Sequence, residues 1–247
     1  MQNDVGAPKI ISLPIGEFPQ RVAEEVEREI RSVLEARGEC RLALAGGETP
    51  RAVHEALAAR GAGIDWQRVW ITFGDERSVP PDHADSNYRM ARESLLERVP
   101  IAPEHVLRIR GELPQVEAAA EYEEQLARAW NGPAGSRYVH DLVMLGMGED
   151  GHTASLFPGS PATAESVRNV IAANGPKPPP QRVSMTLPLL NSARKVFFVV
   201  AGAPKAPVLR KIFAGDRSFP AARVRPSEGE VIWLLGSELA ALAQSPA

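Results

Sequence analysis

The 247-residue chain has a single cysteine, no long apolar run, no block of like charge and no internal or heptad repeat. One thiol, Cys40, cannot form an internal disulfide. Its place just ahead of an apolar run reads as a packed side chain rather than a nucleophile, which suits a reducing compartment. No stretch approaches the ~18 apolar residues that a membrane span requires. The start, Met1 to Gly16, carries one lysine and two prolines but not the apolar centre of a secretory signal, so a cytoplasmic chain without a membrane partner is expected. A formal net charge of −3 gives no electrostatic reason to bind nucleic acid, although a local basic pocket can hide within it. None of the five histidines pairs with another at the spacing of a zinc site, and Cys40 brings no second thiolate, so no metal is expected.

Hydrophobic residues make up 44% and charged residues 24%, the balance of an ordered globular protein, and the length suits one sizeable core in a single domain over 1–247. Across residues 17–37, Val22, Val26, Ile30, Val33 and Leu34 recur at helical spacing, with Glu24/Arg28 and Glu27/Arg31 on the wet side and Gly38 as the stop. A short strand, Leu42 to Ala45, then breaks at Gly46-Gly47 and leads into a helix with Thr49 as N-cap and Pro50 as first helical residue. The pattern recurs in the strand Val69 to Phe73 before Gly74-Asp75-Glu76-Arg77, a helix from about Asn87 to Arg98 and another from about Val116 to Trp130. Strands follow at Leu142 to Leu145, Val196 to Val200 and Val231 to Leu235, with helices after Pro204 and Ser237. This alternation predicts a doubly wound parallel sheet, and the wholly apolar Leu142-Val143-Met144-Leu145 predicts a strand buried on both faces. Residues Asn174 to Pro180, with four prolines, read as an exposed loop, either a flap or a spacer.

In a parallel sheet the turns Gly46–Pro50, Gly74–Arg77, Gly146–His152 and Gly202–Lys205 all leave carboxyl ends of strands and share the edge where ligands bind. Glycine-rich backbone, Thr49, Asp75, Arg77, Asp150, His152 and Lys205 thereby become neighbours, the inventory of an anionic-substrate site with an acid–base residue. Gly46-Gly47 at a helix start offers N–H donors to a phosphate, or is simply a tight turn; it lacks the lysine of a Walker loop and the third glycine of a dinucleotide fingerprint. Arg77 reads either as a surface ion pair with Asp75 or Glu76, or as a phosphate-binding guanidinium held by Asp75. Lys205 is a second cationic contact or a solvated lysine, and Arg182 a further candidate. His152, carried by a glycine turn to the mouth of a helix, is placed to do chemistry. His83 sits where it could brush substrate, whereas His54, His105 and His140 read as structural or exposed.

Gly46-Gly47-x-Thr49-Pro50, then Gly74-Asp75-Glu76-Arg77 with Val79-Pro80 and Ser86-Asn87-Tyr88, then G-E-D-G-H-T-A-S-L-F-P-G over Gly148 to Gly159 resemble, in order and spacing, the 6-phosphogluconolactonase family. The likeness continues through Arg182, Gly202-x-x-Lys205-Ala206 and Pro220 to Pro226, nearly the whole chain. Two positions depart from the pattern: Glu48 within the glycine turn, and Trp233-Leu234-Leu235-Gly236, where an acid often follows. The resemblance implies a modified Rossmann-like α/β fold, a mostly parallel sheet with helices on both faces, shared with glucosamine-6-phosphate deaminases and sugar-phosphate isomerases. It also implies cofactor-free hydrolysis of 6-phospho-D-glucono-1,5-lactone to 6-phosphogluconate in the oxidative pentose phosphate pathway. The sequence does not fix the oligomeric state, and a monomer or homodimer is expected.

On that reading His152 is the general base that activates water, a contribution of roughly 10²- to 10⁴-fold. Asp150 or Asp75 orients its ring or holds sugar hydroxyls. Backbone N–H groups over Gly148 to Gly151, or a nearby cation, meet the oxyanion. Gly46, Gly47, Thr49 and Arg77, with Asn87, Arg182 and Lys205, bind the substrate and its phosphate. Two alternatives remain at this level. One is a deaminase or isomerase on the same fold; the other is a non-catalytic sugar-phosphate sensor, against which no helix-turn-helix segment precedes the first recognisable element.

Overall fold

Apolar runs too short for helices, each closed by a glycine turn, build the centre of the molecule. The computed structural model describes residues 8–244; residues 1–7, part of the segment read for a signal, and 245–247 lie outside the described residues. In chain order the regular elements are β1 (Lys9–Leu13), α1 (Phe18–Arg37), β2 (Cys40–Leu44), α2 (Glu48–Arg60), β3 (Val69–Phe73), β4 (Asp75–Arg77), α3 (Asn87–Ser94) and α4 (Gln115–Ala129). They continue as β5 (Leu142–Leu145), β6 (Val170–Asn174), β7 (Gln181–Met185), α5 (Leu187–Leu190), β8 (Lys195–Val200), α6 (Ala206–Phe213), α7 (Pro220–Arg223), β9 (Glu230–Gly236) and α8 (Ser237–Gln244), with short 3₁₀ turns between.

Six strands form one sheet in the order β1-β9-β8-β5-β2-β3, every pair parallel. Every residue of β2 and β5 is buried, as strands covered on both faces require. Helices supply the cover: α1 buries Val22, Val26, Ile30, Val33 and Leu34, lies against α2, and ends where the Gly38 N–H bonds Leu34 O. Cys40 is fully buried in β2, and burial first, then Asp141 and Glu29, push its thiol pKa well up, so it is inert packing. No helix among the described residues is long and apolar enough to cross a membrane.

A second sheet, order β4-β7-β6 and antiparallel, stands beside the first. It corrects one expectation, since Asp75-Glu76-Arg77 is a strand rather than a turn. The proline-rich run is a largely exposed loop as expected, and it is the turn of the β6–β7 hairpin, closed by Gly175 N–H to Pro180 O at 2.7 Å. The helix expected over 87–98 ends at Ser94, whose hydroxyl bonds back to Met90 O at 2.7 Å; Leu96–Arg98 is a 3₁₀ turn. Thr49 is not the N-cap. Gly47 occupies that position, and Pro50 falls two residues further inside the first turn, where its missing N–H still costs no bond.

Candidate active site

From β2 the chain steps outward to β3, and it reaches β5 only by returning past β2, so the strand order reverses between β2 and β5. Loops leaving two such strands part company and open a crevice at their carboxyl ends. There the structure has a cleft of about 230 Å³, lined by Gly46, Gly47, Thr49, Asp75, Arg77, Asn87, Gly148, His152, Arg182 and Lys205. Asp150 does not line it but is bonded to His152. His83 lies on an exposed loop outside the cleft, where its Nδ1 accepts from Asp85 N–H at 3.1 Å. His54 and His140 are fully buried.

No helix follows His152. Thr153 Oγ1 donates to Gly146 O at 2.8 Å and Thr153 bridges Leu156, so the donors that would open a helix instead close a compact loop, with Ala154 at φ +48. Within it one oxygen, Asp150 Oδ1, accepts from both the His152 backbone N–H (3.1 Å) and the His152 Nδ1–H (2.5 Å). Burial alone would raise the Asp150 carboxyl, but its bonds to His152 outweigh that and hold it below the usual carboxylate range. With Nδ1 engaged as donor, Nε2 is the ring nitrogen left to accept a proton. Asp75 does not reach the ring. Nor are the N–H groups of Gly148 and Gly151 open to an oxyanion, since they bond His152 O and Gly148 O, both at 3.0 Å.

Asp75 is instead pinned from two sides, accepting from Ser155 Oγ at 2.6 Å and Asn87 Nδ2 at 3.2 Å. Both carboxylate oxygens are thus engaged, which is why it does not hold Arg77 as expected. Its neighbour Glu76, 2% exposed, is the unforeseen clamp of the site: it accepts from Arg77 N, Asn87 N, Tyr88 N and Ser86 Oγ. Burial raises its carboxyl pKa against those four bonds. Ser155 is likewise a member that sequence reasoning passed over, although it lies inside the long motif. Asn87 packs so closely under the glycine turn that a Cβ on Gly46 would stand 2.0 Å from its Oδ1.

Cations line the same cleft. Arg77 on β4 and Arg182 on β7 are direct cross-strand partners. Like charges so placed repel, and the Nε of each is buried without a partner, while Arg77 Nη1 donates to Asp85 O at 2.5 Å. Burial lowers the Arg182 pKa; Asp75 opposes the effect and Arg77 adds to it. Lys205, from the turn before α6, is also lowered by burial, with Glu149 opposing. The first-turn N–H groups of α2, at Glu48 and Thr49, have no intrahelical acceptor and face the same opening. Arg182 in turn stands 5.8 Å from the centre of the Phe157 ring, itself 4.5 Å from the His152 ring.

Residues 16–233 match the family described as glucosamine-6-phosphate isomerases/6-phosphogluconolactonase. A human protein named 6-phosphogluconolactonase is 43% identical over 222 residues, 85% of this chain and 83% of that protein. One of the same name from Synechocystis is 40% identical over 218 residues, 86% of this chain and 88% of its own length. A solved 6-phosphogluconolactonase from Thermotoga maritima superposes with a TM-score of 0.82 at 31% identity, covering 93% of this chain and 99% of its own.

Proposed function

From the premise that the chain belongs to the glucosamine-6-phosphate isomerase/6-phosphogluconolactonase family, we propose that it hydrolyses 6-phospho-D-glucono-1,5-lactone to 6-phospho-D-gluconate, with His152 as the general base. It is an enzyme of lactone hydrolysis. The observation that carries the finer reading is one cleft lined by an imidazole and, beside it, by Arg77, Arg182 and Lys205. Two guanidiniums opposed across a strand pair, with buried donors unsatisfied, call for an anion, and a phosphate supplies both charge and acceptors.

With the phosphate anchored by Arg77, Arg182 and the α2 N-terminus, the lactone carbonyl is held near His152, so that binding remote from C1 aligns the reacting atoms. His152 Nε2 takes a proton as water oxygen bonds to C1. Asp150 stabilises the resulting imidazolium through Nδ1. Charge gathers on the carbonyl oxygen, where Lys205 is the remaining cation to meet it. Collapse of the tetrahedral species breaks the C1–O5 bond, and the proton on His152 passes to O5, so one water is consumed and the base is restored. The reading places the enzyme in the oxidative pentose phosphate pathway, with no cofactor.

Specificity constants for the phosphorylated and the plain gluconolactone, corrected for spontaneous opening, provide the test. The phosphorylated ester should be favoured by at least roughly 100-fold, as for a charge-assisted contact of about 3 kcal/mol, and Arg77→Ala should erase most of that preference through KM. Equal constants for the two esters would contradict the phosphate assignment. Ammonia release from glucosamine 6-phosphate would reinstate the deaminase reading.

A further inference from the structure

A second cavity, of about 800 Å³, lies between β9, α6 and α7, away from the cleft. Its apolar wall includes Phe213, Val224 and Trp233. The Trp233 ring is 4% exposed, stacked on Phe198 at 4.0 Å and met edge-on by Phe213 at 5.3 Å. Arg217 and Arg225 also line the space. Arg225 gives its Nε–H to Ala222 O at 3.1 Å, but its Nη1 is buried and unpartnered. Burial lowers the Arg225 pKa and the nearby Arg217 lowers it further. Neither guanidinium meets a carboxylate among the described residues. The one carboxylate of the wall among the described residues, Glu230, is bonded to Lys9 Nζ at 2.7 Å and lies 3.8 Å from Lys195 Nζ.

Arg225 Nη1 is the buried donor of this wall left without a partner among the described residues, and the exposed Arg217 adds a second cation. Water can serve exposed donors, but an apolar wall beside two arginines that meet no carboxylate among the described residues matches a ligand with a flat apolar body and a negative end.

We propose that this cavity binds an aromatic organic anion and that its occupancy adjusts the turn carrying His152. The link is short. Ala221 and Ala222 of α7 line the cavity, and the Ala221 N–H donates to Gly151 O at 3.1 Å. The Phe219 ring stands where a Gly151 side chain would be, 2.5 Å from a Cβ, and Gly151 holds φ +76 directly before His152. An anion that binds one position of α7 better than another shifts the Gly151 turn by that difference in affinity. Binding stands apart from the role given to His152, whereas the effect on turnover rests on it.

The probe is 8-anilinonaphthalene-1-sulfonate, titrated by fluorescence into the full chain with the catalytic cleft saturated by 6-phospho-D-gluconate. One equivalent should bind. Arg225→Ala, and the exposed and structurally undemanding Arg217→Ala, should each weaken it by roughly tenfold or more, while Arg28→Ala on α1 leaves it unchanged. Bound dye should change kcat at saturating lactone in the parent chain and not in Arg217→Ala. No binding under this saturation, or affinities unaffected by both substitutions, overturns the site. Tight binding with unchanged kcat overturns the coupling. An inactive role for His152 would leave the dye titration as it is, so the two failures are distinguishable.

Discussion

Asp150 Oδ1 receives two bonds from a single residue, His152, and those bonds fix both where the ring sits and which of its nitrogens carries a proton. An amide in its place can present its NH₂ to Nδ1 and favour the other tautomer. Asp150→Asn is therefore expected to lower kcat roughly 10- to 100-fold with KM little changed, measured by timed lactone hydrolysis; an unchanged kcat would show the bond to be incidental. Sequence narrowed the ring's partner to Asp75 or Asp150 and went no further, because a spacing of two residues does not say which way a carboxylate turns. Glu76 was hidden for a related reason. In an acid pair beside an arginine it has the signature of a solvated ion pair, and only the fold brings Ser86, Asn87 and Tyr88 back over it.

At the scale of elements, the parallel strands were legible because each is a nearly continuous apolar run, and Val69–Phe73 and Leu142–Leu145 match the expected bounds. The second sheet was not. Its strands β4 and β7 carry Asp75, Arg77, Gln181 and Arg182, and polar residues on a short antiparallel pair look like loop by composition. The edge strand β1, only five residues and largely exposed or half-buried, gave no periodic signal either. That hidden sheet makes Arg77 and Arg182 direct cross-strand neighbours, so the sequence named both cations but not their pairing. The β2–α2 turn is held equally tightly, since Asn87 fills the space beneath Gly46. Gly46→Ala should cost about 1–3 kcal/mol of stability through overpacking, read from the urea midpoint, and should raise KM by displacing Asn87. A midpoint and KM equal to the parent's would mean that the turn can give way freely.

Across the whole molecule, two fully buried histidines tie stability to pH. His54 in α2 has its pKa lowered to about 4 by burial, and His140 is lowered to about 3 by burial and by Arg41. Each is neutral when folded but takes up a proton near pH ~6.5 when unfolded, so its contribution is complete above that value and is lost as pH falls toward the folded-state pKa. Between pH 7 and pH 5 the loss should be roughly 2 kcal/mol for each histidine, seen as a falling urea midpoint. Glu76 and Asp141, whose carboxyls burial raises, oppose the trend at lower pH. A midpoint that does not move between pH 7 and pH 5 would refute the buried-imidazole explanation.

In the proposed reaction, chemistry and fold meet at His152, the imidazole assigned there as proton acceptor. The decisive quantity is the turnover of His152→Ala on freshly made 6-phospho-D-glucono-1,5-lactone, alongside its affinity for 6-phospho-D-gluconate. Turnover should fall roughly 10²- to 10⁴-fold while product affinity stays within about twofold of the parent's, as expected when only transition-state stabilisation is removed. Parental turnover in that variant would contradict the general-base assignment outright.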